Sequence, residues 1–306
     1  MAKANSLSRW LAAAMAALML LALLPARVWA AESTAYDTDG ATAFTFTDIA
    51  ITAKDGDCTG YDIDGTALTI EAAGTYIVSG SCQSGSITVK KGVTGVTLVL
   101  SGLTLTADGT AAIACNKSSG VIIVAQDGTT NILSDTETNN DDSYPDNTDA
   151  ENAVIKCKDG SQVTLCGSGS LTVYGRGWRS ATLDMFIPGT LTVEYDDPDG
   201  GAVLKTDEGT EGAAICANVT LDNGILRATG PDFASADDGS SVGLRGRLTT
   251  HGSSVEAQLT ARTGYASYGL YFDKQGSGRG DSWTMGLGKV TSTAGHALSN
   301  YSYGLY

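Results

Sequence analysis

The sequence predicts an all-β chain wound as a parallel β-solenoid with three short strands per coil. Three observations carry this. First, Ala112–Val124 and Val154–Cys166 are one unit written twice: Ile113, Cys115, Val121 and Ile123 recur as Ile155, Cys157, Val163 and Leu165, all at one offset of 42. Second, each copy runs on into a third short apolar piece, Ile132-Leu133 and then Leu171-Thr172-Val173. Such a coil cannot bury its apolar side alone and needs neighbours stacked on it. Third, glycine is abundant (38 residues) and proline scarce (5), and no sustained 3.6-residue apolar period exists beyond the first 30 residues. That profile suits many short strands joined by tight corners.

Taken in order, residues 1–30 read as a secretory signal. Lys3 and Arg9 give a basic start, Trp10 to Leu24 is an uncharged apolar run, and Val28-Trp29-Ala30 offers small residues for cleavage after Ala30. The apolar core is short for a membrane span, so the expectation is a secreted, extracellular chain without membrane insertion once the signal is cut. Residues 31–66 read as an N-terminal leader or cap, with 31–47 polar and irregular. Residues 67–229 carry steady period-two sets, among them Leu68 and Ile70, Tyr76 and Val78, Ile87 and Val89, and Val96, Leu98 and Leu100, with glycines at the corners between them. Residues 230–306 read as a degenerate extension of the same solenoid. There Ser267-Tyr268-Gly269-Leu270-Tyr271 recurs as Ser302-Tyr303-Gly304-Leu305-Tyr306. The chain stops inside that second copy, which suggests a truncated product or an end covered by a partner.

The net charge is −15, and loss of Lys3, Arg9 and Arg27 with the signal makes it more negative still. This argues against nucleic acid and anionic membrane as partners and permits cation binding. A polyanionic ligand would need local Lys or Arg, or bridging cations.

One resemblance becomes specific in the region 74–175. Gly74-Thr75-Tyr76-Ile77-Val78-Ser79-Gly80-Ser81, Gly85-Ser86-Ile87-Thr88-Val89, Asn131-Ile132-Leu133-Ser134-Asp135, an acidic loop, Ala153-Val154-Ile155 and Gly167-Ser168-Gly169-Ser170-Leu171-Thr172-Val173 follow one another. The chain here resembles the secreted bacterial carbohydrate-binding-domain-containing proteins, and it resumes the resemblance loosely at Ala213 to Gly224. The resemblance implies a right-handed parallel β-helix of polysaccharide-lyase-like fold, Ca²⁺ binding, and attachment to cellulose and pectic polysaccharide without cleavage. Trp178 to Pro188 departs from the family's usual rung.

Asp135 to Glu151 is the most polar insertion. Asp135, Asp141, Asp142, Asp146, Asp149 and Glu151 are the candidate ligands for a hard cation that takes six to eight oxygens. A solvated acidic loop is the plainer reading of the residues, and the resemblance favours Ca²⁺. The six cysteines suggest disulfides in an exported chain. Cys115 and Cys157 hold the same position of consecutive units, within disulfide reach at strand spacing, and Cys58 with Cys82 is a second candidate pair. A stack of buried thiols is the alternative.

Sugar binding calls for flat aromatic faces beside planar polar groups. Tyr144, Tyr174, Arg176 and Trp178 cluster in sequence next to the acidic loop and are the candidates. Tyr265, Tyr268, Tyr271, Trp283, Tyr301, Tyr303 and Tyr306 form a second aromatic-rich region. Asn147-Thr148-Asp149, Asp237-Asp238 and His251-Gly252 imitate a polygalacturonase, but their spacing is wrong for paired carboxylates across a glycosidic bond. No catalytic residue is assigned. The expected function is non-catalytic, calcium-supported polysaccharide binding. A lyase or hydrolase on the same scaffold and an adhesive surface protein are the alternatives.

Overall fold

The structure, a computed structural model, describes residues 37–54, 56, 59–136, 153–158, 160–175, 178–185, 190–195, 204–206, 209–222, 224–233, 240–251, 255–271, 284–285, 288–298 and 302–305. Among these residues there are 25 strands and no helix, so none that is long and apolar enough to cross a membrane. The side chains at 178–185, 190–195, 204–206, 209–212, 284–285 and 304–305 lie outside the description.

The strands fall into three columns that the chain visits in turn. Column one holds Ala67–Ile70, Ser86–Val89, Ile113–Cys115, Ile155–Cys157, the start of Trp178–Met185, Gly209–Leu221 up to Cys216, Ser240–Arg245, Ser267–Tyr271 and Ser302–Leu305. Column two continues through the start of Val96–Ala107, Gly120–Ala125, Gln162–Cys166, the end of Trp178–Met185, the end of Gly209–Leu221, Leu248–Thr250 and Thr284–Met285. Column three takes the end of Val96–Ala107, Thr130–Asp135, Ser170–Gly175, Thr190–Tyr195, Gly224–Thr229, Val255–Thr260 and Lys289–Thr293. Each strand pairs in parallel with the one a tier earlier. The repeat seen in the sequence is this register: Ile113 faces Ile155, Cys115 faces Cys157, Val121 faces Val163 and Ile123 faces Leu165.

Period-two alternation explains the core. In column three, Leu105, Leu133 and Val173 occupy one register row, and the row continues to Ala228 and Leu259, all buried. Column two lines up Tyr76, Leu98, Ile123 and Leu165 in the same way. One polar residue sits among these rows. Asn131, fully buried, lies in register with Leu171. Its Oδ1 accepts from the Gly102 and Leu103 amides, each at 3.0 Å, and its Nδ2 donates to Thr129 Oγ1 and the Ser170 carbonyl, each at 3.1 Å. Every hydrogen-bonding site of the amide that matters in a buried corner is thus used.

The corner between columns one and two needs a left-handed residue. Gly92 (φ 76°), Ser118 (φ 60°) and Gly160 (φ 73°) take it in successive tiers. Ser118 is the one non-glycine among the described residues in that region, at a steric cost that glycine avoids.

The all-β reading holds, and most pairings are parallel, but three are antiparallel. Thr42–Phe46 pairs Ile51–Lys54, Tyr61–Asp64 pairs Ala67–Ile70, and Leu204–Thr206 pairs Gly209–Leu221. Short local turns close the first two hairpins, and antiparallel pairs need no crossover. At the first, the Thr47 amide donates to the Ala50 carbonyl at 3.0 Å and the Thr47 hydroxyl to the same oxygen at 2.8 Å. The expectation of irregular structure through residue 47 is also corrected. Thr42–Phe46 is a strand in parallel register with Gly74–Cys82, and it buries Phe44 and Phe46. Its apolar positions alternate with threonine, which reads as polar in composition but is a strand former.

Candidate functional site

Tyr174 is the predicted site residue whose side chain the structure describes on a surface. The stretch Ser-Leu-Thr-Val-Tyr-Gly alternates, so Leu171 and Val173 go into the core while Thr172 and Tyr174 face out. Tyr174 is 44% exposed. Its register row on column three runs Thr106, Ser134, Tyr174, Glu194, Thr229, Thr260 and Thr293. The neighbouring row runs Thr104, Ile132, Thr172, Thr192, Arg227, Gln258 and Thr291. Ile132 is 39% exposed. The hydroxyls of Thr106 and Ser134 bond across tiers at 2.8 Å. Later on the same face, Gln258 Nε2 donates to Glu256 Oε1 at 2.8 Å, and Lys289 Nζ lies 3.4 Å from that oxygen. These two partners, the Gln258 amide first, hold the Glu256 carboxyl below its usual range. The result is a parallel-sheet face carrying an exposed aromatic ring, hydroxyls, amides and charges at strand spacing. An extended polymer with regularly spaced hydroxyls matches such a surface. Ile132, Arg227 and Gln258 were not singled out as site residues by the sequence; alternation about the inward Leu133 places Ile132 on the outer face.

Trp178 does not join Tyr174. It belongs to column one, in register with the buried Ile155 and Ile215. Tyr144 and Arg176 lie outside the described residues.

Of the candidate cation ligands, Asp135 is described and half-buried at the end of its strand. It faces Ala107 across the tiers, and the next residues are linked by a bond from Thr136 Oγ1 to Asp108 Oδ1 at 3.0 Å. A Cβ on Gly175, at φ +122°, would collide with the Asp135 carboxylate. Asp108 and Asp135 are thus two carboxylates from adjacent tiers, at the end of column-three strands. They supply fewer oxygens than Ca²⁺ takes, and no group of three or more metal-ligating side chains exists among the described residues. Asp141, Asp142, Asp146, Asp149 and Glu151 lie outside those residues.

The disulfide expectation is not realised. Cys115 and Cys157 are in register but are free, buried thiols, and Cys82 is also free and buried. The hydrogen bond with Cys157, together with burial, pushes the Cys115 thiol well above its usual range. Both thiols sit in an inward row with Ile70 and Val89, where they pack as small apolar side chains. Cys58 lies outside the described residues. Of the polygalacturonase-like fragments, His251 is described. Its Nδ1 lies 2.5 Å from Asp222 Oδ1 one tier away.

Fold and surface together define an all-β, mostly parallel scaffold that presents a polar face with an exposed ring. Residues 64–198 match the carbohydrate-binding domain-containing protein family. This bears out the resemblance over that segment, which is less than half of the 306-residue chain and includes the whole of the Tyr174 strand. A comparison with curated proteins finds no match. Among solved structures, the polysaccharide lyase-like protein from C. thermocellum, as its gadolinium derivative, aligns at 17% identity with a TM-score of 0.43, over 85% of this chain and 96% of that chain.

Proposed function

We propose that this protein is a secreted, calcium-supported polysaccharide-binding protein that holds cellulose or pectic glycan without cleaving it, on a right-handed parallel β-helix whose coils are the tiers described above. The observation that carries this reading is the family match over residues 64–198, inside which Tyr174 and Ile132 stand exposed on one face of column three. The net charge of −15 supports the calcium part, because an acidic chain and an acidic glycan need bridging cations. Asp135 and Asp108 would be the first ligands, with the acidic segment that follows completing the set. Cleavage after Ala30 would release the chain from the cell.

The test is retention of the full chain on insoluble cellulose and on pectic polysaccharide, with calcium or with EDTA. Absorbance of unsaturated products is followed in the same tubes. Retention on pectic glycan that falls on chelation, with flat absorbance, is the expected result. Steady product growth would replace binding with lyase chemistry. Absence of retention on every glycan would remove the reading altogether.

A further inference from the structure

Three tiers of column one carry a unit that the family-matched segment lacks. Ser241-Val242-Gly243-Leu244-Arg245 and Ser267-Tyr268-Gly269-Leu270-Tyr271 stack in parallel, and the second stacks on Ser302-Tyr303-Gly304-Leu305. The reason for the pattern is geometric. The serine turns to the corner: Ser241 Oγ accepts from the Arg262 amide at 2.8 Å, and Ser267 Oγ donates to the Arg262 carbonyl at 2.7 Å. Leu244 and Leu270 go into the core. The glycine lets tiers approach, since a Cβ on Gly243 would come 2.7 Å from the Gly269 carbonyl. In the second unit positions two and five are half-buried and meet each other. Tyr268 and Tyr271 do so at 4.9 Å between ring centroids. Tyr268 also lies 6.1 Å from Tyr303 of the next tier, with the two planes only 4° apart. Arg245 Cζ sits 6.0 Å from the centre of the Tyr271 ring.

We propose that Tyr268, Tyr271 and Tyr303 form a second glycan-binding platform, on a different column from Tyr174, that takes an uncharged, extended polysaccharide. The proposal rests on the polysaccharide-binding reading above and adds a site and a ligand class to it. Register places Tyr268 and Tyr303 on successive tiers, and tiers about 4.8 Å apart are close to the length a pyranose adds to an extended chain. Tyrosine offers a flat apolar body for sugar C–H groups and a hydroxyl for sugar oxygens. Tyr303 is 36% exposed. The ligand is uncharged because the nearby cation is engaged: Arg245 is 8% exposed and its guanidinium lies over the Tyr271 ring. An uncharged chain gives calcium no carboxylate to bridge, so binding here needs no calcium.

The experiment uses the full chain in affinity gels containing either an uncharged β-linked glucan or a pectic polysaccharide, each with calcium or EDTA. The expected result is binding to the uncharged glucan that EDTA leaves unchanged. Tyr303→Ala and Tyr268→Ala should weaken it about tenfold, the loss of one good aromatic contact, and leave pectic binding intact. Tyr303→Trp keeps a flat ring, should bind within about twofold of the parent, and should shift its emission when glucan is added, which also verifies that variants at this position fold. Undiminished glucan binding by the alanine variants would overturn the platform while leaving the broader reading standing. So would Tyr303-dependent self-association with unchanged glucan binding. Failure of the parent chain on every polysaccharide would overturn both.

Discussion

The tiers inside residues 64–198 and the tiers after residue 209 occupy the same three columns, yet their outward faces differ more than their inward ones. Inward, column three reads Leu105, Leu133 and Val173 early and Ala228 and Leu259 late, with at most 1% exposure throughout. Outward, the early row holds Thr104, Ile132 and Thr172, and the late row Arg227, Gln258 and Thr291. On column one the positions Ala114, Lys156 and Arg245 of one row are all buried, and the late tiers set a cluster of tyrosines beside Arg245. The scaffold therefore repeats by packing and diverges by surface. The weak late pattern in the sequence reflects a change of surface, and the stacking itself is kept.

The largest test of this comparison is a matched pair of core truncations. Leu105→Ala and Leu259→Ala should each cost about 2–5 kcal/mol, because both side chains are fully buried in one register row. Denaturant midpoints measure it. A Leu259→Ala cost under about 1 kcal/mol would show that the late tiers pack loosely and would break the equivalence.

Next comes the buried amide of the early tiers. Asn131→Ala strands the Gly102 and Leu103 amides, and should cost about 2–3 kcal/mol, a typical penalty for unpaired buried donors. The late tiers put Leu226 and Ala257 in that row and have no such dependence. Hydrogen exchange at Leu103 should accelerate in the variant. Unchanged exchange would mean that another acceptor takes over.

The late tiers have a weak point of their own. Thr250 is fully buried in the row that Leu221 occupies a tier earlier, and its hydroxyl has no hydrogen-bond partner. Thr250→Val keeps the shape and removes the orphan, so it should stabilise by about 1 kcal/mol. A fall in melting temperature would indicate an unseen partner, such as a buried water.

Smallest are the exposed ion pairs, one in each region. Lys90 pairs Glu71 at 2.9 Å, and the carboxylate raises the lysine above its usual value. That contribution is present below the lysine's unfolded value and is lost as pH rises through the folded one. Glu256, held low by Gln258 and Lys289, works the other way: its contribution is present above the usual carboxylate range and is lost as pH falls through the folded value. The melting-temperature difference between parent and Lys289→Ala should therefore be present at neutral pH and fade as pH falls through the acid range, and that for Lys90→Ala should fade as pH rises through the alkaline range. Both differences should shrink in high salt.

Much of the fold was legible because a parallel stack writes its register into the chain. Ile113 and Ile155 look alike because they touch. Thr42–Phe46 was missed because threonine conceals a strand in a polar composition. The late tiers looked degenerate because the Ser-x-Gly-Leu-x unit replaces aliphatic pairs with a corner serine and a close-packed glycine. The site was less legible. Tyr174 and Trp178 are four residues apart and read as one cluster, but their strands belong to different columns. Cys115 and Cys157 were rightly matched by position, yet matching says nothing of whether two sulfurs bond.

By itself the sequence determined the all-β class, the 42-residue register of one pair of tiers in two columns, and most of the inward positions, since alternation and repetition are local properties of the chain. Only the tertiary structure decided which outward side chains share a surface. Neighbours on a stacked sheet are separated by a whole turn of the chain, and the length of each turn depends on corners whose geometry no short stretch encodes.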